Sequence, residues 1–170
     1  MRLHAVEDEA VALSKGMLRA AAFEKSLSAS RALNLLDEGF INSVLLQLAD
    51  KTLEKTDFIL EENKNDLDRM DESDPMYDRL MLSRERIEAI AADIKNVASL
   101  PTPVGETLGK TVRPNGMVIR KVRVPFGVIG VIYEARPNVS FDVFSLCFKT
   151  SNACIPVSYT HLRAHETRHD

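Results

Sequence analysis

The residues of this chain that could do chemistry stand together in one short segment: Glu134, Ala135, Arg136, Pro137 and Asn138. Four of the five are polar or turn-forming. They follow an apolar run at 127–133, whose lack of alternation predicts a strand covered on both faces in a parallel α/β sheet. Because ligands in open α/β sheets collect at the carboxyl ends of strands, we predict that any active site lies at 134–138.

Two other groups of reactive residues predict no chemistry. Cys147 and Cys154 lie in apolar sequence with no basic neighbour that would lower the pKa of a thiol, so both are expected in the core as reduced thiols. The acidic stretch 61–75 lacks the ligand spacing and central glycine of a calcium loop. We predict a solvated connection there and no metal site.

Helical periodicity runs from about residue 11 to residue 100. The clearest helix follows Ser83, a candidate N-cap, and is closed by Pro101. Its core-facing stripe comprises Ile87, Ile90, Ile94 and Val97. A second helix is predicted over 40–60, after a break at 37–39.

The sequence then changes to a pattern typical of a β-hairpin. Asn115 and Gly116 are predicted to take positive φ in a tight turn between strands at 110–112 and 117–124. Alternation of valines with basic residues predicts a second strand with one buried and one solvated face. The basic residues Arg120, Lys121 and Arg123 would lie on the solvated face.

After the segment 134–138, residues 139–150 are apolar nearly all round and predict a buried helix. Gly127 and Gly130 do not have the full spacing of a dinucleotide-binding fingerprint. Close backbone packing within a strand, or a bulge, is the preferred explanation for both glycines.

Composition and charge argue against several classes of function and location. The 170 residues carry 22 Lys and Arg against 25 Asp and Glu, a net charge of −3, which argues against nucleic acid as a partner. No apolar run is long enough to cross a membrane, and the first residues resemble neither a secretory signal nor a transit peptide, so the expected compartment is the cytoplasm.

The last segment, 156–170, differs abruptly in its sequence pattern from the rest, because it lacks apolar periodicity. It holds three of the four histidines, His161, His165 and His169, which could chelate a metal on one helix face. It also resembles translated adaptor or vector sequence. We therefore treat it as foreign and expect no metal there, and we expect it to interrupt a strand begun at 153–155.

The stretch from Lys121 to Asn138, KVRVPFGVIGVIYEARPN, closely resembles the signature of the gamma-glutamyl phosphate reductase family, also called glutamate-5-semialdehyde dehydrogenases. Four further pieces appear in the family's order: DRLMLSRERI at 78–87, LPTPVGE at 100–106, RPNG at 113–116 and LCFKTSN at 146–152. The resemblance covers about 20–155. It departs at Ser151, where the family carries glycine, and after Ile155.

The resemblance implies an α/β fold of the aldehyde dehydrogenase type. Residues 1–100 would form a helical layer of the cofactor domain, 101–125 an oligomerisation hairpin, and 126–155 the start of a Rossmann-like sheet. Such enzymes reduce L-glutamyl 5-phosphate with NADPH in proline biosynthesis. The resemblance further implies a homo-oligomer when full length.

The resemblance also implies site roles. Glu134, Ala135, Arg136 and Pro137 would flank the nicotinamide, while Arg136 and Asn138 would approach the substrate. A guanidinium suits an acyl phosphate and a carboxamide suits an oxyanion, and the alignment leaves open which residue does which. Each also has a plain structural interpretation, Arg136 as a surface residue and Asn138 as an N-cap.

The family's nucleophilic cysteine lies beyond residue 155, so neither Cys147 nor Cys154 inherits its role. We therefore expect an amino-terminal fragment that is inactive alone and prone to aggregate. Two other functions stay open. One is another aldehyde or acyl-phosphate dehydrogenase of the superfamily, including the reductase half of a fused kinase-reductase. The other is a non-catalytic helical binding or assembly module.

Overall fold

The computed structural model describes residues 21–134 and 136–159 of the chain. Residues 21–33 are helical and are called α1. The elements that follow are α2 (Glu38–Glu54), α3 (Thr56–Leu67), α4 (Tyr77–Leu80), α5 (Arg84–Ser99), β1 (Thr107–Val112), β2 (Val118–Val122), β3 (Val128–Glu134), α6 (Pro137–Lys149) and β4 (Ala153–Tyr159). The predicted α/β class is confirmed. Among these residues no helix is both long and apolar enough to cross a membrane.

Helix α5 forms where the sequence predicts it. The hydroxyl of Ser83 accepts the N–H of Arg86 at 3.2 Å, and Leu100, just before Pro101, ends the helix. This side-chain cap satisfies one of the free N–H groups of the first turn. The helix packs on α2 through a cluster of buried residues: Ile41, Leu45, Ala49, Ile90, Ala91, Ile94 and Ala98.

The helix predicted over 40–60 is two helices, because the first ends at Glu54 and the second starts at Thr56. Two threonine hydroxyls near the break donate to backbone carbonyls, Thr52 to Leu48 at 2.8 Å and Thr56 to Leu53 at 2.7 Å. Such bonds compete with the helical pattern and bend helices.

The solvated connection predicted at 61–75 is wrong in its first half, because α3 continues to Leu67. Apart from Leu67, residues 61–67 are polar, and three of the six polar residues, Glu61, Glu62 and Lys64, have high intrinsic helix preference. The described residues contain no cluster of metal-binding side chains. The three tail histidines lie outside the described residues.

The hairpin forms at the predicted turn with a different geometry. The N–H of Gly116 donates to the carbonyl of Arg113 at 2.9 Å, and that of Arg113 to the carbonyl of Met117 at 2.9 Å. Of the two residues, only Gly116 has positive φ, at 82°, so the prediction for Asn115 is wrong. Pro114 fixes a negative φ at the first turn position, which gives a three-residue loop instead of a two-residue one.

The prediction of one buried hairpin face is also wrong. Every residue of β1 and β2 is exposed, and the hairpin stands away from the helical layer. Its apolar side chains have no partner within the described residues to cover them. The exposed large apolar residues here are Leu108, Val112, Val118, Ile119 and Val122.

Strands β3 and β4 form the predicted parallel pair, with α6 as the crossover between them. The prediction that β3 is covered on both faces is wrong for the part of the chain that the structure describes, since Ile132 is 71% exposed. Strand β4 continues through Pro156 to Tyr159, past the expected interruption after Ile155.

The two glycines of the β3 region differ from the prediction. A Cβ at Gly130 would meet nothing within 4 Å, so close packing does not explain this glycine in the described residues. Gly127 has a φ of 105°, and its N–H donates to the side chain of Asn152 at 2.9 Å. Gly127 is therefore required by backbone conformation at the strand entrance.

Helix α6 ends in a Schellman motif. The N–H of Asn152 donates to the carbonyl of Cys147 at 2.8 Å and that of Ser151 to Phe148 at 3.0 Å. The motif places Ser151 in the left-handed region, with a φ of 56°. This conformation favours glycine, and Ser151 is the position at which the sequence departs from the family pattern.

Candidate functional site

The candidate site lies where β3 ends and α6 begins. Arg136 is the N-cap residue of α6, with extended backbone and no side-chain capping bond, and Pro137 occupies the first helical turn. A proline there loses no helical hydrogen bond and pre-sets φ. The interpretation of Asn138 as the N-cap is therefore wrong: it lies within the first turn, where its side chain is exposed.

The Glu134 carboxylate joins this loop to the helical layer. Its Oε2 atom accepts from Arg79 Nη1 at 2.7 Å and from Arg136 Nη2 at 3.4 Å. Arg79 belongs to the short helix α4, 55 residues earlier in the chain. Sequence reasoning missed Arg79, because nothing local to the DRL triplet reveals a partner so distant.

Helix α4 is short but firmly held. The side chain of Asn63 donates to the carbonyl of Leu80 at 2.8 Å and accepts the N–H of Leu82 at 2.8 Å. Arg86 of α5 donates to the carbonyl of Asp78 at 3.0 Å and to that of Met81. These bonds fix the backbone that carries Arg79, which a four-residue helix could not do by itself.

A cleft of about 410 Å³ opens between this segment, α5 and the start of α6. Its size falls within the range of small-molecule sites. It brings together Arg136, Pro137 and Asn138 of the predicted site, while Ala135 lies outside the described residues. The remaining lining residues are Asp78, Arg79, Met81, Leu82, Arg86, Ala89, Ile90 and Asp93.

Charged side chains of both signs lie in and near the cleft. Near Glu134 two guanidinium groups share one carboxylate. Further along α6, burial and then the nearby Asp93 carboxylate raise the pKa of Asp142. Burial and a like charge both disfavour the ionised form of this carboxyl group.

Comparison with known proteins decides the family. A gamma-glutamyl phosphate reductase of Bacteroides thetaiotaomicron is 62% identical over 128 residues, which are 75% of this chain and 31% of the relative. One of Parabacteroides distasonis is 53% identical over 141 residues, 83% of this chain and 33% of the relative. The chain belongs to the gamma-glutamyl phosphate reductase family. It spans about a third of the length of these relatives.

Solved structures of the gamma-glutamyl phosphate reductase family share the fold. The crystal structure of the Thermotoga maritima enzyme has a TM-score of 0.75 at 34% identity and covers 79% of this chain and 33% of its own. That of the Saccharomyces cerevisiae enzyme has a TM-score of 0.76 at 28% identity and covers 81% and 36%. A scan against family models gave no match.

The thiols of this reductase-family chain are poor nucleophiles. Cys147 is buried, as predicted, and burial raises the pKa of its thiol, with Cys154 as a further cause. Cys154 is half-buried, and burial raises the pKa of its thiol too. Because the thiolate is the reactive form, neither residue is poised for attack.

A buried lysine anchors the far end of α6. Lys149 Nζ donates to the side chain of Asn42 at 2.6 Å, to Glu38 Oε1 at 3.2 Å and to the carbonyl of Ala98 at 3.2 Å. Its side chain is only 4% exposed. Sequence reasoning missed this residue as well, since the residues around it predict an apolar helix. The lysine ties α6 to α2 and α5, and so fixes the helix whose other end carries the candidate site.

Proposed function

We propose that this chain forms part of an enzyme that reduces L-glutamyl 5-phosphate to L-glutamate 5-semialdehyde and phosphate, with NADPH as reductant, in proline biosynthesis. The observation that carries the proposal is the 62% identity over 128 residues to a gamma-glutamyl phosphate reductase. The cleft at the end of β3 supports it, because it holds charged groups where ligands of parallel sheets bind.

The β3–α6–β4 unit fits a nicotinamide cofactor in general form. It is a parallel strand–helix–strand unit, and the start of α6 presents the positive end of a 13-residue helix beside Arg136. Residues 134–137 would hold the nicotinamide side of NADP(H). When bound, that cofactor supplies the hydride, and the acyl phosphate yields aldehyde, phosphate and NADP⁺ after uptake of one proton.

The substrate would lie on the cleft side of the same loop. In our proposal, Arg136 binds the acyl phosphate with a forked pair of hydrogen bonds. Asn138 donates to the oxyanion that forms as the carbonyl carbon becomes tetrahedral. The nucleophilic cysteine would be supplied by a part of the enzyme other than these residues, because the Cys147 and Cys154 thiols have raised pKa values.

Two further proposals concern assembly and location. The uncovered apolar side chains of the hairpin support a role in homo-oligomerisation of the complete enzyme. A cytoplasmic location fits an enzyme of amino-acid biosynthesis with free cysteines.

A chimaera tests the proposed function. The 128 matched residues of the Bacteroides thetaiotaomicron enzyme are replaced by those of this chain, and NADPH oxidation is followed with L-glutamyl 5-phosphate. We expect activity within about tenfold of the parent enzyme, since a substitution of related core sequence preserves packing. A folded chimaera that oxidises NADPH with another acyl phosphate or aldehyde, but not with this substrate, would refute the proposal.

The chimaera also tests the end of α6. Ser151→Gly should raise the free energy of unfolding by about 0.5–1 kcal/mol, because glycine adopts the left-handed conformation without the Cβ penalty. The thermal midpoint measures this. Thr150→Gly is the matched control: Thr150 has a φ of −98°, and its hydroxyl donates to the carbonyl of Leu146 at 2.8 Å, so glycine there should destabilise. A lower midpoint for Ser151→Gly would contradict the strain argument.

A further inference from the structure

The Arg79 and Arg136 guanidinium groups contact the same oxygen atom of Glu134, at 2.7 Å and 3.4 Å. One carboxylate between two guanidinium groups leaves a net positive charge at this end of the cleft. Each arginine side chain is 47% exposed. Within the described residues only the Nη1 of Arg79 and the Nη2 of Arg136 have hydrogen-bond acceptors, so their other N–H groups are free for a ligand.

The geometry suits a phosphate better than a carboxylate. A phosphate group offers three oxygens, and two guanidinium forks can bind it from different sides. Glu134 holds the two forks near each other before the ligand arrives, which lowers the entropic cost of binding. Arg79 is further fixed by its backbone, since Asn63 bonds to both Leu80 and Leu82.

Carboxylates in and near the cleft restrict where an anion can bind. Asp93 lines the cleft and Asp142 lies near it, and neither carboxylate forms an ion pair within the described residues. A phosphate would be repelled there. The Glu134 end, between the helical layer and the first turn of α6, is therefore the favoured position for an anion, since two guanidinium groups meet there.

We propose that Arg79 is a substrate-binding residue that grips the phosphate of the acyl-phosphate substrate together with Arg136. The inference rests on the proposed function. As the enzyme's nucleophile bonds to the acyl carbon, the bond from that carbon to the phosphate oxygen breaks and the oxygen keeps the electron pair. Arg79 and Arg136 stabilise the phosphate that departs with this charge.

The reverse reaction gives a direct readout, because inorganic phosphate is then a substrate. In the chimaera, Arg79→Ala should raise KM for phosphate at least tenfold and leave KM for NADP⁺ within about twofold. Arg79→Lys should recover part of the loss, since it keeps the charge but not the fork. Arg69→Ala is the control, because Arg69 is exposed and has only a 4.0 Å contact with Asp66.

Equal increases in KM for phosphate and for NADP⁺ would assign the site to a cofactor phosphate and overturn the proposal, as would an unchanged KM for phosphate. Thermal stabilisation by inorganic phosphate separates this inference from the proposed function, because it needs no turnover. Stabilisation that is lost in Arg79→Ala and kept in Arg69→Ala supports the phosphate site even in an inactive chimaera. Equal stabilisation of both variants would refute it.

Discussion

Arg136→Ala in the chimaera is expected to lower kcat/KM for L-glutamyl 5-phosphate by about 100-fold or more while changing KM for NADPH less than about threefold. Charge-assisted forked bonds to phosphate are among the strongest polar contacts, and without Arg136 the phosphate charge is compensated by Arg79 alone. The structural cost is small, because the side chain makes only a 3.4 Å contact with Glu134 among the described residues.

Two companion variants sharpen the assignment. Arg136→Lys should retain more activity than the alanine variant, since the ammonium keeps the charge. Asn138→Ala should lower kcat with little change in KM if its amide acts on the oxyanion, because that bond strengthens only in the transition state. Parallel losses in substrate turnover and NADPH binding for Arg136→Ala would remove this residue from the substrate site.

Local signals were enough to predict the elements that carry the site. Ser83 marks the start of α5 and Pro101 its end, because an N-cap and a helix-breaking proline affect the backbone of adjacent residues in the sequence. The apolar run of β3 and the loop after it were likewise predictable, since a parallel strand has to be apolar wherever it is covered. The sequence predicts the position of the hairpin turn correctly but not its geometry, because the negative φ imposed by Pro114 competes with the positive φ expected at Asn115.

The errors about burial and side-chain pairing share one physical cause, which is that both depend on partners distant in sequence. Alternating residues in β2 predicted a covered face, yet that face is exposed in the described part of the chain. The pairing of Arg79 with Glu134 joins residues 55 positions apart, and that of Lys149 with Glu38 joins residues 111 apart. Neither pairing leaves a periodic trace in the sequence, because a single charged residue has no period.

Lys149→Met should be the most destabilising single substitution of α6, lowering the free energy of unfolding by about 2–4 kcal/mol. Methionine fills a similar volume but donates nothing, so the Ala98 carbonyl and the Asn42 side chain lose their donor. Lys149 lies in the last turn of α6, and its ammonium donates to a carbonyl in the last turn of α5; a cation is favoured by the helix dipole at both places. In the chimaera, the thermal midpoint should fall by on the order of 5–15 °C.

The pH dependence of stability distinguishes lost hydrogen bonds from lost packing. The backbone N–H of Thr102 and then Lys149 lower the pKa of Glu38. A carboxyl with a lowered folded pKa contributes stability that is present above its ordinary pKa and is lost as the pH falls through the folded value. Lys149→Met should reduce this acid sensitivity only partly, because the Thr102 bond remains.

Glu38→Gln is the matched control for the lysine. Glu38 is well solvated, so this variant should cost less than Lys149→Met, yet it should abolish the acid sensitivity that Glu38 contributes. Buried ion pairs can often be replaced by apolar side chains without loss, and that is the competing outcome. A Lys149→Met chimaera as stable as its parent would mean that the aliphatic stem, and not the ammonium, holds α6 against the helical layer.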